Sequence, residues 1–187
     1  MNKMRLLSAL VLLVGASNLQ AGPARFQLTS PAFEDQANVP IEYTCYGSSQ
    51  SPPLVWSSVP AGTRSIALVV TDPDAPYGEG HAGNGTFFHW GIYNLPPAMA
   101  GLAEDASDDL PDAVRTSVND TEIIGYAPIC PPAGSHRYRF TIYALDQSLN
   151  LDDQIQTKDL SQFLENLGNR SAIRLLGKAM LTGRYSH

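Results

Sequence analysis

Asp72 and Asp74 alternate with prolines in the stretch Thr71-Asp72-Pro73-Asp74-Ala75-Pro76, directly after the aliphatic run Ile66-Ala67-Leu68-Val69-Val70. Two carboxylates in a rigid turn at the end of a core strand can orient neighbouring imidazoles and favour their protonated form. Two histidines are candidates for that partnership. His89 stands between Phe88 and Trp90 in an aromatic-rich run, and His136 follows Cys130-Pro131-Pro132-Ala133-Gly134. In that segment the prolines fix the approach of the chain, and the glycine allows backbone close to a ligand. Taken singly, each feature has a plain structural explanation, since Asp and Pro are ordinary turn residues and a buried histidine is often a hydrogen-bonded core residue. Taken together they describe a small pocket whose N–H groups face an anionic oxygen. Direct contact of Asp72 with a phosphate is repulsive unless one partner is protonated, so the aspartates are expected in supporting roles.

Other chemistries are served less well. Asp and His suffice in principle for general acid–base hydrolysis, but the chain has no Gly-x-Ser-x-Gly nucleophile elbow. The two histidines and their carboxylates match no recognised zinc spacing, so neither a metal nor a cofactor is expected. The two cysteines, Cys45 and Cys130, each lack a second ligand at zinc-like spacing.

The first residues are expected to lie outside the folded domain. Lys3 and Arg5 precede Leu6-Leu7-Ser8-Ala9-Leu10-Val11-Leu12-Leu13-Val14, and small residues follow, with Ala16 and Ala21 as cleavage candidates. That order reads as a secretory signal peptide over 1–21, leaving a single domain over 22–187 in a periplasmic or secreted protein. The apolar segment is shorter than the roughly 20 residues of a membrane-spanning helix. Removal of 1–21 takes away Lys3 and Arg5 and no acid, which leaves 10 basic against 18 acidic groups, net −8. Such a charge argues against general nucleic-acid binding and against docking on anionic bilayers, but not against a local pocket for one anion. In an exported chain two cysteines are expected to pair, closing a loop of about 85 residues worth roughly 4 kcal/mol in the chain-entropy model. Asn84, Asn119 and Asn169 fit the glycosylation pattern, which is short enough to occur by chance.

The elements that must position these groups are mainly β. Fourteen prolines and 15 glycines separate short apolar runs, with no repeats and no low-complexity block. Strands are predicted at Arg25–Ser30, at Val39–Cys45, around Leu54–Ser57 and over Arg64–Asp72, the last apolar throughout and expected to be covered on both faces. Phe87–Leu95 reads as a second central strand. From His136 the pattern alternates, with His136, Tyr138, Phe140 and Ile142 on one face and Arg137, Arg139 and Thr141 on the other. Leu160, Phe163, Leu164 and Leu167 follow helical spacing, with Thr157 as the expected cap and Gly168 as the stop. Lys178–Ser186 is predicted as a last strand, and the acidic stretch between Ala103 and Asp120 as a solvated loop.

These motifs resemble the phosphatidylethanolamine-binding protein family, specifically its bacterial Raf-kinase-inhibitor-like branch. The resemblance rests on four segments in order over roughly 25–187: Ser51–Ser65, Asp72–Pro76 with Phe88–Pro96, Pro131–Leu145, and the closing Gly183–Ser186. It implies an antiparallel β-sandwich with a few peripheral helices and a small anion pocket near one end. By matching positions, that pocket would use Asp72, Asp74, His89, Pro131, Pro132, His136 and Tyr138. Exported relatives with a cysteine before the proline pair are similar to this chain, and there a bridge to the early cysteine supports the loop. The connection Tyr77–Phe87 is longer than the branch leads one to expect and brings Glu79 and His81 toward the pocket mouth. The segment Gly168–Leu176 also looks extended.

Three functions follow from this reading. The first is a non-enzymatic binding protein for a phosphate-type group, a phospholipid head group or other phosphorylated ligand, with a carboxylate-bearing ligand also admitted. The second is a protein-interaction inhibitor of a protease or kinase, and the third, weakest, is a hydrolase. A kinase target is hard to place for an exported protein. Intact lipid binding and oligomeric state do not follow from the sequence.

Overall fold

The computed structural model describes residues 24–76, 85–167 and 172–187. The expected signal peptide, Glu79, His81, Asn84, Gly168 and Asn169 lie outside the described residues. The strands are β1 (Gln27–Thr29), β2 (Leu54–Ser57), β3 (Ser65–Asp72), β4 (Phe87–Leu95), β5 (Gly101–Leu102), β6 (Arg115–Thr116), β7 (Ser135–Leu145) and β8 (Leu175–Ser186), with helix α1 at Thr157–Glu165. They form two antiparallel sheets, ordered β1-β2-β5 and β6-β4-β3-β7-β8. The expected mainly β sandwich with a helix near the C-terminus is therefore present.

Alternation decides the layering. Ile66, Leu68 and Val70 of β3 join Phe140 and Ile142 of β7, Trp90 and Ile92 of β4, and Leu54 and Trp56 of β2 in one buried cluster. Ala67, Val69 and Tyr143 point the other way, to Leu160 and Leu164 of α1. So β3 is covered on both faces, by the small sheet and by the helix, as its unbroken apolar run requires. The helix lies close over Gly91, where a Cβ would sit 2.1 Å from Ser117 Oγ and 3.0 Å from Leu160 Cδ2.

Three expectations are corrected. Ile41–Tyr43 is a 3-10 turn, not part of a strand over Val39–Cys45. Tyr43 turns inward and its hydroxyl donates to Glu104 Oε2 at 2.6 Å. Desolvation first, then this acceptor, pushes its pKa up to about 12. Thr157 is the first helical residue and not the cap, which is Gln156. Its hydroxyl instead donates to the Val118 carbonyl at 3.0 Å and meets Ser117 Oγ at 2.7 Å. The acidic stretch is not all loop, since it contains a 3-10 turn at Ala106–Asp108 and the edge strand β6. Asn119 is 1% exposed and its amide donates to the Gly125 carbonyl. That burial removes it as a glycosylation acceptor.

Candidate functional site

The large sheet ends in a cavity of about 520 Å³, to which β3, β4 and β7 each deliver a polar group. Asp72 is the last residue of β3, on the same face as Val70. Its Oδ1 accepts the backbone N–H of Asp74 at 2.9 Å, and this bond forms the turn. Its Oδ2 accepts His136 Nδ1–H at 2.6 Å. Both side chains are at most 8% exposed. A carboxylate can only accept, so Nδ1 of His136 carries its proton toward Asp72.

His89 reaches the cavity through an irregularity. Val70 pairs with Trp90 and Thr71 with Phe88, so His89 is the extra residue of a β-bulge. A bulge re-aims one side chain, whereas strict alternation would have set His89 opposite Trp90. Its Nδ1–H donates to the Ala127 carbonyl at 2.9 Å, which fixes the tautomer in the same sense as at His136. The Tyr138 ring joins the two imidazoles: it meets His89 edge-on at 5.4 Å and lies nearly parallel to His136 at 6.5 Å, between centroids. Tyr138 is fully buried, and its hydroxyl finds no hydrogen-bond partner among the described residues. Burial drives its pKa upward, so the phenol stays protonated and remains a donor.

Of the seven expected site residues, Asp72, His89, Pro132 and His136 line the cavity, and Tyr138 stands behind the two rings. Asp74 and Pro131 are not among the lining residues. Asp74 faces the other side of β7, where it accepts Arg137 N–H at 2.9 Å, Nε–H at 2.8 Å and Nη2–H at 2.6 Å. The Arg137 hydrogen bonds, against an opposing desolvation, hold its carboxyl at about 2. Asp74 thus fastens the turn to β7 and steadies Asp72 from behind. Pro131 is buried, and its carbonyl accepts the Tyr46 hydroxyl at 3.2 Å. Gly134 has φ +75°, yet a Cβ there would meet nothing within 4 Å. Its requirement is the left-handed turn, not the close approach to a ligand expected of it.

The rest of the lining was not foreseen as site. Ala75, Pro76, Phe87, Ala127 and Pro128 make most of the wall apolar, and Thr121 stands at its rim. Cys45 and Cys130 are joined by the expected disulfide, with Cα atoms 5.3 Å apart, and both line the cavity. Neither Lys nor Arg appears among the described lining residues. Among the described residues no cluster of three or more His, Cys, Asp or Glu is arranged to hold a metal ion.

The fold is a β-sandwich with a largely apolar cavity, carrying a few polar groups, at one end of its larger sheet. The chain belongs to the phosphatidylethanolamine-binding protein family, whose sequence model matches residues 29–186. A protein of Methanothermobacter thermautotrophicus named UPF0098 protein is 39% identical over 160 residues, covering 84% of this chain and 97% of its own. The crystal structure of a phosphatidylethanolamine-binding protein homologue from Chlamydia trachomatis superposes with a TM-score of 0.74 at 34% identity, over 87% of this chain and 98% of that one. Escherichia coli YbcL, described as a new member of the mammalian family, gives 0.75 at 29%, over 88% and 99%. A Mycobacterium tuberculosis protein named lipoprotein LppC is 40% identical over 133 residues, 69% of this chain and 61% of its own. Family membership supports a binding-protein role. No helix among the described residues is long and apolar enough to cross a membrane.

Proposed function

We propose that the chain is a non-enzymatic binding protein whose cavity takes the anionic end of a small ligand, of phosphate type, against His136 and His89. The observation that carries this reading is the Asp72–His136 pair, buried and at 2.6 Å, on the same cavity as His89. Each imidazole spends Nδ1–H on a fixed acceptor, so proton uptake at Nε2 converts a lone pair into a charged donor. That change favours an anion. The apolar remainder of the cavity exceeds what one phosphate fills and suits the body of an organic anion.

The reading extends to the whole chain: residues 1–21 form a secretory signal, 22–187 a single domain, and the site of action is the periplasm or the exterior. The disulfide supports export, because such bonds persist in oxidising compartments. Inhibition of a protease is the second reading, favoured by the exposed pair Ile123 and Ile124 two residues from Thr121 at the cavity rim. Titration calorimetry with inorganic phosphate and with a phosphorylated small molecule tests the first reading. Saturable binding that His136→Ala weakens at least about tenfold, with the fold intact by circular dichroism, is the expected result. Binding indifferent to both His136→Ala and His89→Ala overturns it.

A further inference from the structure

The disulfide is part of the cavity wall, and Cys130 is exposed while Cys45 is half-buried. On one side of Cys130 the chain is well anchored. Ile129 is fully buried, its carbonyl accepts Cys45 N–H at 2.9 Å, and its own N–H reaches the Tyr43 carbonyl at 3.3 Å. On the other side the chain is anchored again where β7 begins and Ser135 pairs with Ser186. Between these anchors Pro132, Ala133 and Gly134 are exposed. Among the described residues two hydrogen bonds restrain that stretch, Tyr46 hydroxyl to Pro131 carbonyl and His187 N–H to Gly134 carbonyl, each at 3.2 Å. The first is long for its type, and the second lies at the upper end of the usual range. The covalent bond is therefore the strongest local restraint on a piece of chain that carries Pro132 into the cavity.

We propose that the Cys45–Cys130 disulfide is a thiol-addressable clasp, whose reduction frees the wall segment 130–134 while the sandwich stays folded. The reagent is a dithiol. Its thiolate attacks Cys130 Sγ, the sulfur–sulfur bond breaks, and Cys45 leaves as a thiolate that takes a proton from water. The second thiolate of the reagent then displaces Cys130, which is protonated in turn, and the reagent departs as its own disulfide. Two electrons pass to the protein. Locality follows from the packing: β3, β4 and β7 are rooted in clusters that do not contain either cysteine, so loss of the clasp opens a segment in which Pro131 alone is buried.

A coupling to ligand follows, and it rests on the anion reading above. A guest in the cavity packs against the wall that the disulfide holds in place, so occupancy disfavours reduction. Linkage makes the effect reciprocal: the factor by which reduction weakens binding equals the factor by which the guest disfavours reduction.

Hydrogen exchange followed by mass spectrometry on the full chain tests the clasp, in the oxidised protein, after reduction with a dithiol, and in the variant Cys45→Ser/Cys130→Ser. Peptides covering 129–135 should exchange at least about tenfold faster in the reduced and double-serine forms, with β3 and β7 unchanged. Unchanged exchange over 129–135, loss of protection throughout the sheet, or a disulfide that resists the dithiol in the native protein each overturns the proposal. Sulfate supplies the second arm: its affinity should fall about fivefold or more on reduction, and saturating sulfate should lower the equilibrium constant for reduction by the dithiol by the same factor. Equal affinities in the two redox states overturn the coupling. Failure of the oxidised protein to bind either sulfate or phosphate strikes at the proposed function instead, and leaves the exchange result to decide the clasp.

Discussion

Asp72→Asn is the most informative single substitution, because the surrounding hydrogen bonds leave asparagine one sensible orientation. Asp72 accepts from Asp74 N–H through Oδ1 and from His136 Nδ1–H through Oδ2. Asparagine has one carbonyl oxygen and one amide group, so it keeps the turn with the oxygen and must donate its N–H to His136 Nδ1. The imidazole answers by moving its proton to Nε2. In this form the neutral ring already offers a donor to the cavity, and further protonation would set two N–H groups against each other. The wild-type ring gains its Nε2 donor only by taking up a proton. A hydrogen bond to a charged group contributes about 1.5–3 kcal/mol, so one such bond changes anion affinity roughly 10- to 100-fold, compared here over about pH 5–8. Sulfate is a suitable probe, since its charge is constant over that range. Calorimetry in buffers of different ionisation enthalpy measures the protons taken up per anion bound. Asp72→Asn should take up fewer protons than wild type, by as much as one, and should match or exceed wild-type affinity at the alkaline end. Any contribution of His89 is common to both proteins and cancels in the difference. Equal proton uptake by the two proteins refutes the reasoning. Asp72→Ala is the control: it strands His136 Nδ1–H and Asp74 N–H, costing about 1–3 kcal/mol for each buried group left unmet.

Asp74→Asn should lower stability at neutral pH by about 1 kcal/mol, because Arg137 is 39% exposed and solvent screens the pair. The Asp74 carboxyl is held below its ordinary value, at about 2, so the stabilisation is present above the unfolded value and fades as pH falls toward the folded one. Urea unfolding should therefore find wild type and variant converging near about pH 2, and a gap that persists there contradicts the assignment. Tyr138→Phe removes a hydroxyl without a partner among the described residues. The melting temperature should hold or rise, whereas anion affinity should fall severalfold if the phenol serves the guest; a loss above about 1 kcal/mol in stability counts against the unmet hydroxyl. Leu160→Ala, at a fully buried position between α1 and β3, should cost about 2–5 kcal/mol by denaturant unfolding, and a cost under about 1 kcal/mol would contradict the packing described.

What was readable in the sequence was whatever a two-residue period or an unbroken apolar run can express. Ile66–Val70 announced a doubly covered strand, and the alternation from His136 to Ile142 placed His136 and Tyr138 on the inward face, where they lie. The 3-10 turn at Ile41–Tyr43 is hidden in the sequence because Val39, Ile41 and Tyr43 alternate as a strand would. What overrides that pattern is tertiary: Tyr43 is drawn inward to Glu104, 61 residues away. His89 stands out in the sequence for its chemistry, but no local signal announces the bulge that turns it, since the extra residue exists only relative to β3. Asp74 enters the expected pocket by its matching position in the family resemblance. Its separation from the cavity depends on Arg137, 63 residues downstream. The apolar wall was least legible of all, because Ala127 and Pro128 belong to irregular chain whose path no periodicity records.

The eleven-residue strand β7 spans both the interior and the cavity, and this ties two properties that usually vary apart. Parity along it is a single bit of information: even positions carry Phe140 and Ile142 inward and, farther along, His136 toward Asp72, while odd positions hand Arg137 to Asp74. Deleting one residue within β7 would flip that bit for the whole segment ahead of it, trading the imidazole at the cavity for the Ser135 hydroxyl and a cation for a ring at the surface. Deletions at Ala133 or Gly134 leave the parity untouched. Variation in ligand preference among chains of this architecture should therefore collect in the segment ahead of Ser135, with the strand itself changing in side-chain identity but not in length.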